Sequence, residues 1–255
     1  MTNRIKFHIT GWVKKLLLLL LPLSVFPQSD VLLATDLKNY EKYMPTSKCG
    51  EIIHYNYYSV SFCESDRISE WAIYYMTPNR IGLFKRTNDF RRDINLNRRD
   101  ASLNDYKGSG FDRGHLVPAA DMSFDEERMS QSFLMTNITP QAPSFNRGVL
   151  RNLESQVRSW IYDFDTIVII TGCIDTSLKH QTIGDGKVRV PELFYKVIID
   201  IKKMQSIAFI LPNMKVEDDL YNYTYSIEYL EEITGLDFFY KLPDEIEMSF
   251  ELKNR

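Results

Sequence analysis

Aromatic and β-branched residues crowd two stretches in the first third of the chain. Tyr55-Asn56-Tyr57-Tyr58-Ser59-Val60-Ser61-Phe62 and Glu70-Trp71-Ala72-Ile73-Tyr74-Tyr75-Met76 have the composition of strands, and the polar turn between them predicts an antiparallel pair. Thr166 to Thr171 predicts a buried strand, and Leu193 to Ile201 with Ser206 to Leu211 a hairpin through Lys202-Lys203-Met204-Gln205. Helical periodicity appears elsewhere. Ser123 with Glu126 forms a capping-box pattern ahead of a short helix over Asp125 to Leu134. From Arg147 to Tyr162, the residues Leu150, Leu153, Val157, Trp160 and Ile161 fall on one apolar stripe, while Arg147, Arg151, Glu154 and Arg158 line another face. Asp218 to Thr234 repeats the pattern with Leu220, Ile227, Leu230 and Ile233 inward and ends at Gly235 in the capping role. Strands both paired and interrupted by helices predict an α+β fold, a mixed, mainly antiparallel central sheet flanked by helices.

The start of the chain follows a different rule. Arg4, Lys6, Lys14 and Lys15 precede an apolar run from Leu16 to Phe26, which gives way to polar Gln28-Ser29-Asp30. A basic front, a short apolar core and a polar exit predict a secretory signal peptide over residues 1–28. The run is short of the roughly 20 residues a membrane span needs, although an uncleaved anchor is the alternative. The expected location is therefore secreted or periplasmic, with no stable membrane association after cleavage. Residues 29–48 then read as a mobile linker and 49–255 as one domain.

Composition excludes disordered and collagenous classes: 44% of residues are hydrophobic and 25% charged. Charge changes the picture more. Loss of the leader's four cations takes the formal net charge from −3 to about −7. Any affinity for nucleic acid must then come from a local basic patch. The Arg-dense stretch from Arg80 to Asp105 reads as a long surface loop, either a solvated charged face or a phosphate-facing rim. Export also bears on the three cysteines. Cys49 and Cys63 are close in sequence and flank a strand-like segment, so they are the expected disulfide, with Cys173 left as a small buried hydrophobe. The spacing offers no C-x-x-C pair for zinc or redox chemistry.

The candidate chemistry lies between Ser109 and Arg158. Gly110-Phe111-Asp112-Arg113-Gly114-His115-Leu116-Val117-Pro118 is followed by Thr136-Asn137-Ile138-Thr139-Pro140-Gln141, then Asn146-Arg147-Gly148 and Glu154. Arg is a permanent cation whose planar fork matches phosphate oxygens. His is a neutral base near pH 7, and Asn supplies a hard neutral oxygen suited to a largely hydrated Mg²⁺. Of the four histidines, His115 has this company; His8 lies in the leader, and His54 and His180 have no chemical neighbours. Each candidate has a plainer role open to it. Asn146 is equally placed to cap the helix, Glu154–Arg158 to form a surface ion pair, and Asn137 to shape its loop.

These segments together resemble the DNA/RNA non-specific endonuclease family, sugar-non-specific nucleases of the ββα-metal class. The resemblance extends to Tyr57 to Phe62, Glu70-Trp71, Val190 to Val197, Ala208 to Asn213 and Thr234 to Phe239. It implies His115 as general base, Asn146 as the direct protein ligand of one Mg²⁺ (Mn²⁺ as a substitute), and Glu154 holding the ion's waters. Asn137 would support the cluster and Arg113 would stabilise the phosphate. Arg86, Arg158 and Asp112 would lie on the substrate side, with Arg91 competing with Arg86 for the upstream position. The substrates implied are DNA and RNA, cut to 5′-phosphate ends, with a homodimer left open. Alternatives are a phosphodiesterase acting on a non-polymer ester and an inactive binding protein on the same scaffold.

Overall fold

A computed structural model describes residues 37–82, 84–97, 99–175 and 180–251. The expected signal peptide lies outside the described residues. In chain order the strands are β1 (Glu51–His54), β2 (Tyr58–Cys63), β3 (Ile68–Met76), β4 (Asp112–His115), β5 (Ile138–Gln141), β6 (Ile167–Ile174), β7 (Thr182–Ile183), β8 (Val188–Arg189), β9 (Leu193–Asp200), β10 (Gln205–Pro212) and β11 (Thr224–Tyr225). The helices are α1 (Leu103–Tyr106), α2 (Glu126–Gln131), α3 (Arg151–Trp160), α4 (Ile227–Thr234) and α5 (Asp244–Glu251).

Seven strands form one sheet in the order β1-β2-β3-β6-β9-β10-β11, antiparallel at every step. Both its faces are covered, and the period of two sorts the side chains. Trp71, Ile73 and Tyr75 join Val168, Ile170, Val197 and Ile199 in a core closed by α4 and α5 through Leu230 and Phe250. The alternate residues Ala72, Tyr74 and Met76 join Ile167, Ile169, Ile198 and Phe209 in a second core closed by Leu153 and Val157 of α3. Burial on both faces explains why β6 and β9 read as nearly unbroken apolar runs. The expected α+β fold is present: a mainly antiparallel sheet flanked by helices.

Several boundaries differ from expectation. The linker expected up to residue 48 is a 3₁₀ helix from Leu37 to Tyr43, and Tyr40, Tyr43 and Met44 are buried in the first core; residues 29–36 lie outside the described residues. The strand expected from Tyr55 starts only at Tyr58; residues 55–57 turn the chain from an unexpected strand, β1, which pairs on β2 so that His54 faces Ser59, its Nδ1 2.9 Å from the hydroxyl. The Ser123–Glu126 capping box does not form. Asp125 caps α2 instead, accepting from the Glu127 and Arg128 amides, while Ser123 donates to Ala120 O. The helix expected from Asp218 begins only at Ile227, capped by Ser226, because Leu220 and Tyr221 turn to pack against the second core. Gly235 does close it, in the left-handed conformation at φ 65°.

Cys49 and Cys63 form a disulfide with Cα atoms 5.3 Å apart, tying the entry of β1 to the end of β2. The Glu70 carboxylate secures the same corner, accepting from the Cys49 and Gly50 amides and the Ser61 hydroxyl. Cys173 is unpaired and partly buried, and burial pushes its thiol well above the usual range.

Candidate active site

The strands β4 and β5 stand apart from the large sheet as a two-stranded hairpin, with Asp112 opposite Gln141 and His115 opposite Ile138. Alternation places Arg113 and His115 on one face and Asp112 and Gly114 on the other. Gly114 is required by a close approach: a Cβ there would lie 2.0 Å from Cδ of Gln141, whose amide donates to His115 O at 3.3 Å. Gly114 is itself paired strand, opposite Thr139.

The His115 imidazole sits edge-on to Phe133, ring centroids 4.9 Å apart, and 5.5 Å from Phe90. Its Nε2 is shielded from solvent and has no hydrogen-bond partner. Burial, then the nearby charges of Arg86 and Arg113, push its pKa down to about 3, so the ring is neutral at physiological pH. Each flanking ring carries one arginine: Arg113 lies 4.2 Å over Phe90 and Arg86 4.7 Å over Phe133. Arg91, the competitor for the upstream position, is held by Asp89 and by Ser130 O at 2.8 and 2.9 Å.

Two side-chain amides fix the hairpin. Asn137, fully buried, accepts from Val117 N at 2.9 Å and donates to Val117 O at 3.0 Å and Ser132 O at 2.8 Å. It thereby pins the segment leaving His115 to the segment entering β5. Asn213, after β10, accepts from Ala142 N at 2.7 Å and donates to Pro140 O and Pro191 O.

The long helix expected from Arg147 is broken. Phe145–Leu150 forms a wide π turn with Gly148 at φ −106° and ψ −112°, and α3 starts at Arg151. Asn146 lies inside this turn and makes no helix cap. Its Nδ2 donates to Asp112 Oδ2 at 2.9 Å, and Arg147 Nε reaches the same oxygen at 2.8 Å. Burial would raise the Asp112 carboxyl, but these hydrogen bonds and the Arg147 charge hold it below the usual range. Asp112, expected on the substrate side, therefore orients Asn146, whose Oδ1 is left free of hydrogen bonds among the described residues.

On α3 the expected Glu154–Arg158 ion pair does not form. Arg158 donates to Asp121 Oδ1 at 2.7 Å and to Ser155 Oγ, while the Tyr74 hydroxyl donates to the other Asp121 oxygen at 2.8 Å. This pairing directs the Arg158 guanidinium toward Asp121, with part of the side chain still exposed. Glu154 has no hydrogen bond among the described residues. Burial pushes its pKa up to about 7, with Lys196, Arg158 and Arg86 lowering it and Asp121 raising it. The Arg86 charge lowers the pKa of both Glu154 and His115. The free oxygens of Asn146 and Glu154, a neutral amide and a carboxylate, fit a hard and largely hydrated divalent cation. Elsewhere among the described residues, the grouping of Cys49, Cys63 and Asp66 has its thiols tied in the disulfide.

The profile of a known family, described as DNA/RNA non-specific endonuclease, matches residues 36–245. The chain belongs to that family. Members similar to it include a nuclease of Nostoc sp., 30% identical over 217 residues, covering 78% of this chain and 76% of its own. Nuclease C1 of Cunninghamella echinulata is 32% identical over 72% of this chain and 81% of its own. Human mitochondrial endonuclease G is 31% identical over 66% of this chain, which spans 62% of that protein's length. The crystal structure of an EndoG/EndoGI complex superposes with a TM-score of 0.75 over 82% of this chain and 93% of its own, at 23% identity, a likeness of fold. In this family of metal-dependent nucleases the ββα unit corresponds here to β4, β5 and the segment from Asn146 through α3.

Asp121, Phe90, Phe133 and Lys196 escaped the sequence reading. Lys196 left one signal, a lone cation amid Phe194, Tyr195, Val197 and Ile198. Asp121 and the two phenylalanines left none, because their roles arise from tertiary partners.

Proposed function

We propose that the chain is a secreted, Mg²⁺-dependent endonuclease that hydrolyses phosphodiester bonds of DNA and RNA without sequence preference, leaving 5′-phosphate ends. The observation that carries this reading is the neutral, unpartnered His115 imidazole between two ring-mounted arginines, taken with the Asn146 side chain that Asp112 orients. His115 takes the proton of the attacking water. Its pKa of about 3 belongs to the site without substrate. An arriving phosphate offsets the Arg86 and Arg113 charges and so strengthens the base. Arg113, held flat on Phe90, meets the non-bridging oxygens with a rigid planar fork. Asn146 would hold the ion directly, oriented by Asp112, and Glu154 would hold its waters. Bound there, the cation supplies charge stabilisation at the phosphoryl oxygen and at the departing 3′ oxygen. Arginine contacts to phosphate carry no base information, which supports action on any sequence. The basic-then-apolar leader and the Cys49–Cys63 bond support export.

Supercoiled plasmid and single-stranded RNA, incubated with purified mature protein, test the reading. Internal cutting of both in Mg²⁺, lost with EDTA and lost in His115→Ala, is the expected result. Intact polymers with wild type across metals and salt concentrations would overturn it.

A further inference from the structure

Lys196 sits in the middle of β9 on the face that α3 covers, 2% exposed, and its Nζ has no hydrogen-bond partner. The ammonium lies 5.8 Å from the centroid of the Tyr74 ring. Charged groups face it from two directions: Glu154 and Arg158 on α3, and Asp121 in the turn after β4. Asp121 and Arg158 satisfy each other at 2.7 Å, and Tyr74 completes Asp121. The two groups left over are opposite in sign, the Lys196 ammonium and the Glu154 carboxylate, and each is without a hydrogen bond among the described residues. An ammonium buried without a partner costs several kcal/mol. Packing gives no reason for it, since a Met of similar length would fill the same space.

We propose that Lys196 is a positioning residue of the hydrolytic site: its ammonium is the counter-charge of the Glu154 carboxylate across the packed faces of β9 and α3. The inference rests on the reading of Glu154 as the holder of the ion's waters. It assigns to the central sheet a direct part in the site, which otherwise draws on the hairpin, its loops and α3. Groups that orient a metal's surroundings without touching it typically change affinity or activity about 10- to 100-fold when lost.

The test uses the mature protein in five forms: wild type, Lys196→Met, Lys196→Arg, Glu154→Gln and the Glu154→Gln/Lys196→Met double variant. Mn²⁺ affinity is read by calorimetry, kcat and KM on plasmid DNA, and folding by thermal unfolding. Lys196→Met should weaken Mn²⁺ binding by about 10- to 100-fold and lower kcat in parallel with KM unchanged. Lys196→Arg should restore most of both. The double variant should bind Mn²⁺ no more weakly than Glu154→Gln alone, because the two groups act as one unit. The double variant also removes both buried charges, so it reports even where Lys196→Met folds poorly. Wild-type Mn²⁺ binding in Lys196→Met, or full addition of the two effects in the double variant, overturns the role of Lys196. Unchanged metal binding and kcat in Glu154→Gln would instead overturn the reading of the site beneath it.

Discussion

Between pH 6 and pH 8 the Glu154 carboxyl changes its charge, and metal affinity should follow it. His115 is pushed down to about 3 and stays neutral, while Asp112 is held below the usual carboxylate range and stays ionised. Glu154, raised by burial to about 7, passes from about one-tenth ionised at pH 6 to about nine-tenths at pH 8. A cation drawing on that carboxylate must displace its proton. Below pH 7 the apparent affinity should therefore fall about tenfold per unit, or about 1.4 kcal/mol. Binding at pH 7 should release about half a proton per ion. Calorimetric Mn²⁺ titrations at pH 6, 7 and 8, in buffers of different ionisation enthalpy, give both quantities. Glu154→Gln should bind more weakly at pH 8 and lose the slope. Equal affinity at pH 6 and 8 in wild type, or the same slope in Glu154→Gln, would refute the argument. The linked effect on folding has the opposite sense. Because the folded-state pKa lies above the ordinary 4.5, the metal-free protein should lose stability as pH rises from about 4.5 to about 7, and Glu154→Gln should not.

Other outcomes follow from single contacts. Asn137→Ala leaves one buried N–H and two buried carbonyls unpaired, and should lower unfolding stability in urea by roughly 3 kcal/mol, at about 1 kcal/mol each. Its kcat should fall while Mn²⁺ affinity holds. Arg113→Lys loses the planar stack on Phe90, and kcat/KM should drop about tenfold on both DNA and RNA. Reducing the disulfide, which closes a separation of 14 residues, should cost about 3 kcal/mol in a urea titration, with kcat under native conditions unchanged.

The central strands were legible because β3, β6 and β9 are buried on both faces, so nearly every position is apolar or aromatic. The edge strand β1 was not: Glu51 and His54 are exposed and its four residues carry no alternation strong enough to separate them from a loop. The helix at the site was legible in its apolar stripe and illegible at its start, since Gly148 and the π turn move Asn146 out of the capping position that sequence alone would allow. Arg113 and His115 stood out as candidates because they lie one residue apart, and Asn146 because it opens a second polar motif ahead of a helical stripe. The true partners of Arg158 and Asp112 could not, because an i, i+4 neighbour competes with residues tens of positions away. Asp121, buried and already bonded to the Tyr74 hydroxyl, is the carboxylate that Arg158 reaches, at 2.7 Å.

The β4–β5 hairpin has four paired positions and lies outside the large sheet. A two-stranded ribbon of that size is marginal by itself. Two amide side chains tie its ends to the rest of the molecule, Asn137 at one end and Asn213 at the other, while Ile138 and Val117 pack into the neighbouring cores. The part of the protein that carries His115 is thus a short unit beside the central sheet and not a strand of it. Under heat or denaturant a unit of that kind should loosen cooperatively while the sheet persists, read as loss of amide protection in β4 and β5 ahead of β3, β6 and β9. Inactivation is then a local event, reversible for as long as β3, β6 and β9 keep the template to which the hairpin returns.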